Sequence, residues 1–338
     1  MGSEEENRGK SKFMIALPLL LLLVSIPLSL TLWLGNMAFS AFWESESEPI
    51  SPTRWLFSVI TPILFAAYGL KKKSLSVSGA VLGLVVGFVL TLSSYLFLIC
   101  LIVFFITSSR ATKFRSNQKR KLEEDFKEGG QRNWVQVLCN SGMALQLALL
   151  YILDSGCGER PVDFSSDYRA SWLALGVLGS LSCCNGDTWA SELGAVVGGG
   201  QPRLITNGRP VPRGTNGGVS PQGLLFSLLG GLVVGVGYYV GLLYLVDTTS
   251  LVRSPPQWPV ILWAAFAGLF GSVVDSLLGA TVQFSGLDKS RGCVVECPGP
   301  GVKHISGFGL LDNHSVNLVS SIISGLVTPM LANLLWPH

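Results

Sequence analysis

The stretch SWLALGVLGSLSCCNGDTWASELGA, residues 171–195, decides how the chain is read. Its first part is apolar and long enough to lie in hydrocarbon. Its end carries two acids, Asp187 and Glu192, among small residues. A carboxylate at the edge of an apolar helix is costly unless it is paired, faces water or holds a cation. Two questions follow: whether this segment crosses a bilayer, and what its acids meet.

Composition answers the first. Of 338 residues, 49% are hydrophobic and only 13% charged, against roughly 25% charged in an ordinary soluble domain, and the mean hydropathy is +0.48. Apolar windows fall at about 13–34, 55–70, 74–92, 94–109, 133–152, 169–186, 223–246, 258–282 and 313–336. Inside a bilayer these must be helices, because backbone groups have no water to pair with. The expected fold is all-α, a polytopic membrane helix bundle of about nine spans (seven to nine), with the short windows between 74 and 109 forming a tight hairpin or tilting. Residues 1–54 read as an N-terminal anchor span with a polar loop, and 55–338 as the multi-span core. The first window follows Arg8, Lys10 and Lys12 and is 22 residues long. A signal-peptide core is roughly 7–15 residues, so a retained anchor is expected, with cleavage near Ala38, Ser40 and Ala41 as the alternative.

Charges sort by side. Arg8, Lys10 and Lys12, then Lys71–Lys73, then Lys113, Arg115, Lys119, Arg120 and Lys121 fall on one face if the nine spans hold. Glu44, Glu46, Glu48, Asp154, Glu159, Asp163 and Asp167 fall on the other. The positive-inside rule makes the basic face cytosolic, which places the loops 187–222 and 283–312 there too. Segment 113–128, KFRSNQKRKLEEDFKE, reads as a solvated linker helix on an anionic membrane surface. A net charge of +3 with no basic stripe interleaved with aromatics excludes a nucleic-acid partner. Seven scattered cysteines make no disulfide framework. Glycines spaced four apart, Gly79, Gly83 and Gly87, or Gly231 with Gly235 and Gly237 with Gly241, are assigned to close helix packing.

The motif at 186–195, GDTWASELGA, has a second copy 85 residues later in GSVVDSLLGA, 271–280, with five of ten positions identical. Each copy ends a span, and each is followed by a loop with a basic residue three before a polar-Gly pair: Arg213 before Asn216-Gly217, and Lys303 before Ser306-Gly307. The pattern is that of a parallel two-span internal repeat, about 169–246 and 258–336. Chance matching among Gly, Ala, Ser and Leu is the alternative. The second copy brings a third acid, Asp275.

Three acids at matching depth are candidates for a cation site, with Asp187, Glu192 and Asp275 as metal ligands. For Asp187 a helix N-cap explains the residue equally well. The loop VPRGTNGGVSPQG supplies the opposite sign: Arg213 precedes Gly214, Thr215, Asn216, Gly217 and Gly218, whose backbone N–H groups can form an anion nest ahead of a helix N-terminus. A flexible surface turn is the plainer reading, and no Walker A ending is present. Lys303 and His304 precede a helix opened by Asp312 and Asn313, with Asn317 one turn on. Cys293, Cys297 and His304 lack the second ligand pair of a structural zinc site. Carboxylates for Mg²⁺, a Gly/Arg loop for phosphates and a lipid-facing bundle together suit phosphoryl transfer to a lipid, with Asp187, Arg213, Asp275 and Lys303 as the catalytic candidates.

GDTWASELGA, RGTNGGVS, GSVVDSLLGAT and HISG…LDN…VN, in that order, resemble the integral membrane family that contains vertebrate transmembrane protein 19 and the phytyl-phosphate kinases of plants and bacteria. The likeness runs from about residue 60 to the C-terminus. It implies phosphorylation of an isoprenyl monophosphate, a prenyl-phosphate lipid, to the diphosphate, with a nucleoside triphosphate donor, CTP ahead of ATP, and Mg²⁺. An endoplasmic-reticulum membrane is the expectation from moderate span lengths and lipid chemistry. Intramembrane acids on paired repeats also mark secondary transporters, whose sites lie near mid-membrane, and a non-catalytic scaffold would keep the same pattern. Prenyl chain length and oligomeric state are not written in the residues.

Overall fold

A computed structural model describes residues 23–42, 50–114, 130–197 and 200–337. Among the described residues, ten helices of six residues or more are α1 (Leu23–Phe42), α2 (Pro52–Lys71), α3 (Val77–Ser93), α4 (Tyr95–Lys113), α5 (Trp134–Ser155), α6 (Tyr168–Trp189), α7 (Pro221–Leu245), the short α8 (Thr248–Arg253), α9 (Pro259–Thr281) and α10 (Asn313–Leu335). All nine apolar windows are thus helical over most of their length. The first is described only from Leu23, so residues 13–22 lie outside the described part. So do the basic N-terminus, the acids at 44–48 and all but the start of the segment 113–128.

Seven of these helices are long and apolar enough to cross a membrane. The other two candidates differ in kind. At 17 residues α3 is short, and Ser94 alone separates it from α4: its extended backbone ends one helix while its Oγ accepts from Leu96 N at 3.2 Å to start the next. This is the tight hairpin expected between 74 and 109. Helix α6 is long enough but encased, burying sixteen of its 22 residues against α4, α5, α7, α9 and α10. A helix surrounded by protein needs small residues for its neighbours more than apolar ones for lipid. Five of the other starts are written in the sequence as caps: Ser51 and Ser220 each ahead of a proline, the Asn133–Gln136 capping box, Asp167 and Asp312.

Of the described charges sorted by side, Asp154 and Glu159 lie at one end of the bundle and Lys72 and Lys113 at the other. At one end Arg54 pairs with Glu159 at 2.7 Å and Arg169 with Asp154 at 2.7 Å. At the other, Lys113 donates to Ser74 Oγ at 2.9 Å, and the Arg132 backbone bridges Ser74 and Ser76.

Helices α6 and α9 run the same way, because each is antiparallel to α7: Gly230 meets Gly186 and Gly223 meets Gly194, while Gly231 meets Gly268 and Gly235 meets Ile261. Their contacts come in matched pairs. Gly186 lies on Gly268 as Gly271 lies on Cys183. Gly231 lies on the Ala264 carbonyl as Ser324 lies on that of Gly179. Gly235 meets Ala264 as Thr328 meets Gly179. Each contact maps onto its mate by moving 85 residues between α6 and α9 and 93 between α7 and α10.

Helix α6 does not stop at Trp189. It continues through a π-helical turn, Ala190–Gly194, and one further turn, Ala195–Val197. The wider turn lets Gly194 rest on Gly223 at the start of α7, where a Cβ would stand 2.8 Å from the Gly223 Cα.

The all-α expectation holds for the bundle, and a little sheet lies outside its helices. The loops after α6 and α9 hold five short strands: β1 (Arg203–Leu204) against β2 (Gly218–Val219), and β3 (Ser285–Asp288) between β4 (Cys293–Val295) and β5 (Val302–Ser306), all antiparallel. Long connections must still pair their backbone groups, and glycine-punctuated segments do so in short ladders. Asn216 N donates to Ser285 Oγ at 3.0 Å, Arg209 donates to the Ile305 carbonyl, and Leu204, Val211 and Ala280 form a small core. The two loops are therefore one cap over the ends of α6 and α9.

Candidate functional site

Asp187 sits inside α6, two residues before its end. The N-cap explanation fails on that placement. Across the pseudo-symmetric contact, Ser272 Oγ of α9 donates to Asp187 Oδ1 at 3.4 Å. These two residues are 85 apart, equivalent positions of the two motif copies. One turn on, Asp275 receives Ser320 Oγ at 3.4 Å and Asn317 Nδ2 at 3.1 Å in the amide orientation that also satisfies the Asn313 carbonyl. The two carboxylates lie in electrostatic reach of each other, and both are half-buried. Among the described residues no Lys or Arg comes within ion-pair distance of either. Three helices thus present two acids, two hydroxyls and an amide to one space at the cap end of the bundle.

Glu192 takes a different place. It is half-buried in the π-helical turn, and its charge is felt by Arg132. Among the described residues no three His, Cys, Asp or Glu side chains form a cluster able to hold a metal. The geometry therefore brings together the pair Asp187 and Asp275 without gathering all three acids.

The loop after β1 is braced against α9. Gly214 and Gly217 have φ of +86° and +77°, backbone that glycine adopts without penalty. Three of the five candidate amides are already engaged: Thr215 N on the Pro212 carbonyl, Asn216 N on Ser285 Oγ, and Gly218 N on the Thr215 carbonyl. Asn216 Nδ2 adds a bond to the Phe284 carbonyl at 3.3 Å. Arg213 is half-buried and donates to the Gly200 carbonyl at 3.4 Å. These bonds hold the segment as a roof against the end of α9. A Cβ on Gly217 would overlap Ala280 and stand 2.6 Å from the Ser276 carbonyl. Gly217→Ala should therefore lift the roof off α9, at a cost of about 2 kcal/mol or more from strain and overlap. Thermal unfolding in detergent checks this; an unchanged melting temperature would refute it.

Lys303 and His304 are exposed on β5, with His304 Nε2 bonded to the Gly307 carbonyl at 2.8 Å and its ring 5.5 Å from that of Phe284. At the head of α10, Asp312 accepts from Ser315, side chain and backbone, which holds its carboxyl below the usual range. Asn317, singled out with Asn313 in the sequence, does reach Asp275.

Arg132 is the residue the sequence did not single out. It precedes α5, donates to Ser109 and Ser108 hydroxyls at 3.1 Å, and lies in electrostatic reach of Glu192 and Cys184, which flank Asp187 in the chain. Burial lowers its pKa, and Glu192 acts in the opposite direction. Its one local signal is its place just ahead of the Asn133–Gln136 capping box.

Fold and site together define a polytopic membrane protein whose two motif copies close on a carboxylate pair under a glycine-built cap. The chain belongs to the integral membrane protein family DUF92, whose profile matches residues 60–325. It is 45% identical to Protein PGR of Arabidopsis thaliana over 275 residues, covering 81% of this chain and 95% of that one. It is 28% identical to Protein VTE6, chloroplastic, of the same plant, over 83% of this chain and 72% of that one. An uncharacterised membrane protein of Synechocystis, sll0875, matches at 31% over 74% and 87%. No solved structure matches. The resemblance drawn from the four motifs, to a phytyl-phosphate kinase-type membrane family, is thereby established at the level of the family.

Proposed function

We propose that the protein is a lipid-monophosphate kinase that transfers a phosphoryl group from a nucleoside triphosphate, CTP before ATP, to an isoprenyl monophosphate. The observation that supports this most is the Asp187–Asp275 pair: two acids on separate helices, near enough to repel, with hydroxyl and amide neighbours but no ion-paired cation among the described residues. Such a pair calls for a cation, and its hard oxygens suit Mg²⁺, which takes one or two carboxylates and fills its shell with water and substrate phosphate.

When bound, Mg²⁺ would neutralise charge on the transferred phosphoryl group. Asp187 and Asp275 would hold it, while Ser272, Ser320 and Asn317 orient their carboxylates. Arg213, with Lys303 and His304 on the exposed strand, would meet donor phosphates from the cap, and residues 214–218 would shape the roof above them. The acceptor needs no general base, because its phosphate oxygen is already anionic. The cap would face the cytosol, where nucleotide is available, in an endoplasmic-reticulum membrane. The matched contacts support a duplicated two-span unit, about 169–246 and 258–336, as the origin of the paired acids. Their position at helix ends under a cap, rather than at mid-span, weighs against a carrier.

The test is direct. Purified protein with Mg²⁺, labelled CTP or ATP and a panel of prenyl monophosphates should yield labelled diphosphate. A monodisperse preparation that gives none with any pair, yet supports solute counterflow in proteoliposomes, would replace the kinase with a transporter.

A further inference from the structure

The cap carries one apolar protrusion. Residues 307–311, GFGLL, join β5 to α10. Phe308 is 84% exposed and Leu310 73%, the two barest large apolar side chains of the described cap. The backbone beneath them is tied to the end of α9: Phe308 N donates to the Thr281 carbonyl at 3.0 Å, and Leu310 N and Leu311 N to that of Val282 at 2.7 and 3.1 Å. Gly307 and Gly309 have φ of +78° and +71°, and a Cβ on Gly307 would overlap the Gln283 carbonyl. His304 Nε2 bonds the Gly307 carbonyl as well. Phe308 and Leu310 are therefore held outward, at a set height, by a backbone with no slack to fold them under.

That height points to the partner. Thr281 ends a helix long and apolar enough to cross a membrane, and Asn313, five residues after Phe308, starts another. A loop bonded to the end of one span and leading into the next lies where hydrocarbon gives way to headgroups. Apolar side chains there sink about 5–10 Å into the boundary. Two side chains are too few for a protein partner, since a stable interface buries roughly 1,200 Å² or more. Arg209, exposed and donating to the Ile305 carbonyl, adds a cation suited to anionic headgroups.

We propose that residues 307–311 form a membrane finger: Phe308 and Leu310 insert into the headgroup boundary of the leaflet at the cap end and pin the cap to it. Asp275 stands six residues before Thr281 on α9, about 9 Å along the axis, and Asn317, which reaches it, stands four after Asn313. A pinned cap therefore keeps the carboxylate pair next to lipid headgroups instead of bulk water. The assignment needs no phosphoryl transfer and holds for any chemistry at the pair.

Photolabelling tests this on the full chain in nanodiscs of phosphatidylcholine with added phosphatidylserine. Phe308, and separately Leu310, is replaced by p-benzoylphenylalanine. Its excited ketone takes a hydrogen from a neighbouring C–H, and the two radicals join in a C–C bond that mass spectrometry reads as a lipid adduct. Ser290 is the control position, exposed in the turn between β3 and β4, at the far end of the sheet from the Ser285–Ser306 pair that leads into the finger. Phospholipid adduct at Phe308 and Leu310 should exceed that at Ser290 by about tenfold or more, because only the finger reaches the acyl boundary. Yields equal to the control, or a cross-link to a second copy of the chain in place of lipid, would overturn the assignment. Pinning is read by backbone hydrogen exchange over residues 307–311. Phe308→Asp combined with Leu310→Asp should speed it about tenfold or more in the same nanodiscs, since the anionic leaflet then repels the tip. Both side chains are exposed, so the packed bundle is left intact. Exchange as slow as in the wild type would overturn the pinning.

Discussion

Asp187→Asn should leave the protein folded and abolish phosphoryl transfer. The amide has the size of the carboxylate and can still accept from Ser272 Oγ, so the α6–α9 contact survives. What is lost is one of two charges. A metal held by two carboxylates and substrate phosphate loses far more affinity with a ligand gone than the roughly 10–100-fold seen when only a supporting hydrogen bond is removed. Turnover should therefore fall by at least about a hundredfold. Asp275→Asn should do the same, and the double variant should be little worse than either, as expected of groups acting as a unit. Asn317→Ala, which only frees Asp275 to turn, should cost much less. Stability separates this role from a structural one. In chelator the wild type holds two like charges together, so Asp187→Asn should melt no lower. Added Mg²⁺ should raise the wild-type melting temperature and not the variant's, since a ligand stabilises only the form that binds it. Full turnover by Asp187→Asn would defeat the metal assignment, and a lower melting point in chelator would make the residue structural.

Much of this arrangement could be read from sequence because a bilayer leaves few options. Runs of apolar residues must be helices, so the windows located the spans. The motif copies gave more than expected: the offset of 85 predicts that Asp187 and Ser272 are equivalent, and they touch. Three features had no such signal. The cap strands span two to five residues, too short to show an alternation. The π-helical turn at 190–194 depends on Gly194 meeting Gly223, a contact between distant residues. Arg132 reads as an ordinary basic residue at a span edge. Only the fold shows that its backbone is clasped by Ser74 and Ser76 and that its side chain lies under α4. The N-cap explanation of Asp187 failed for a related reason. A helix that runs past its apolar stretch looks, in sequence, like one helix ending and another beginning.

The matched helix contacts carry the second large effect, and they predict an asymmetry. A Cβ on Gly186 would stand 2.7 Å from the Gly268 Cα and 2.7 Å from the Ser227 carbonyl. Both are backbone atoms of helices that cannot retreat without unpacking the bundle. On Gly271 it would meet the Cys183 side chain first and the Cys183 Cα only at 3.2 Å. Gly186→Val should therefore prevent folding, leaving no monodisperse peak on size exclusion. Gly271→Ala should cost the roughly 1–3 kcal/mol of an overpacked core. Because the obstacle there is a side chain, Cys183→Gly should recover most of that loss in the double variant, whereas no side-chain removal opposite Gly186 can help, its nearest contact being a glycine already. Melting temperatures of the Gly271→Ala and double variants decide the matter. Additive losses would show that Cys183 and Gly271 do not share the contact. A well-folded Gly186→Val would show that α6, α7 and α9 do not meet as closely as the pseudo-symmetric crossing requires. That crossing also fixes where Asp187 stands relative to Asp275, so a variant that loosens it without unfolding should lose phosphoryl transfer before it loses its membrane fold.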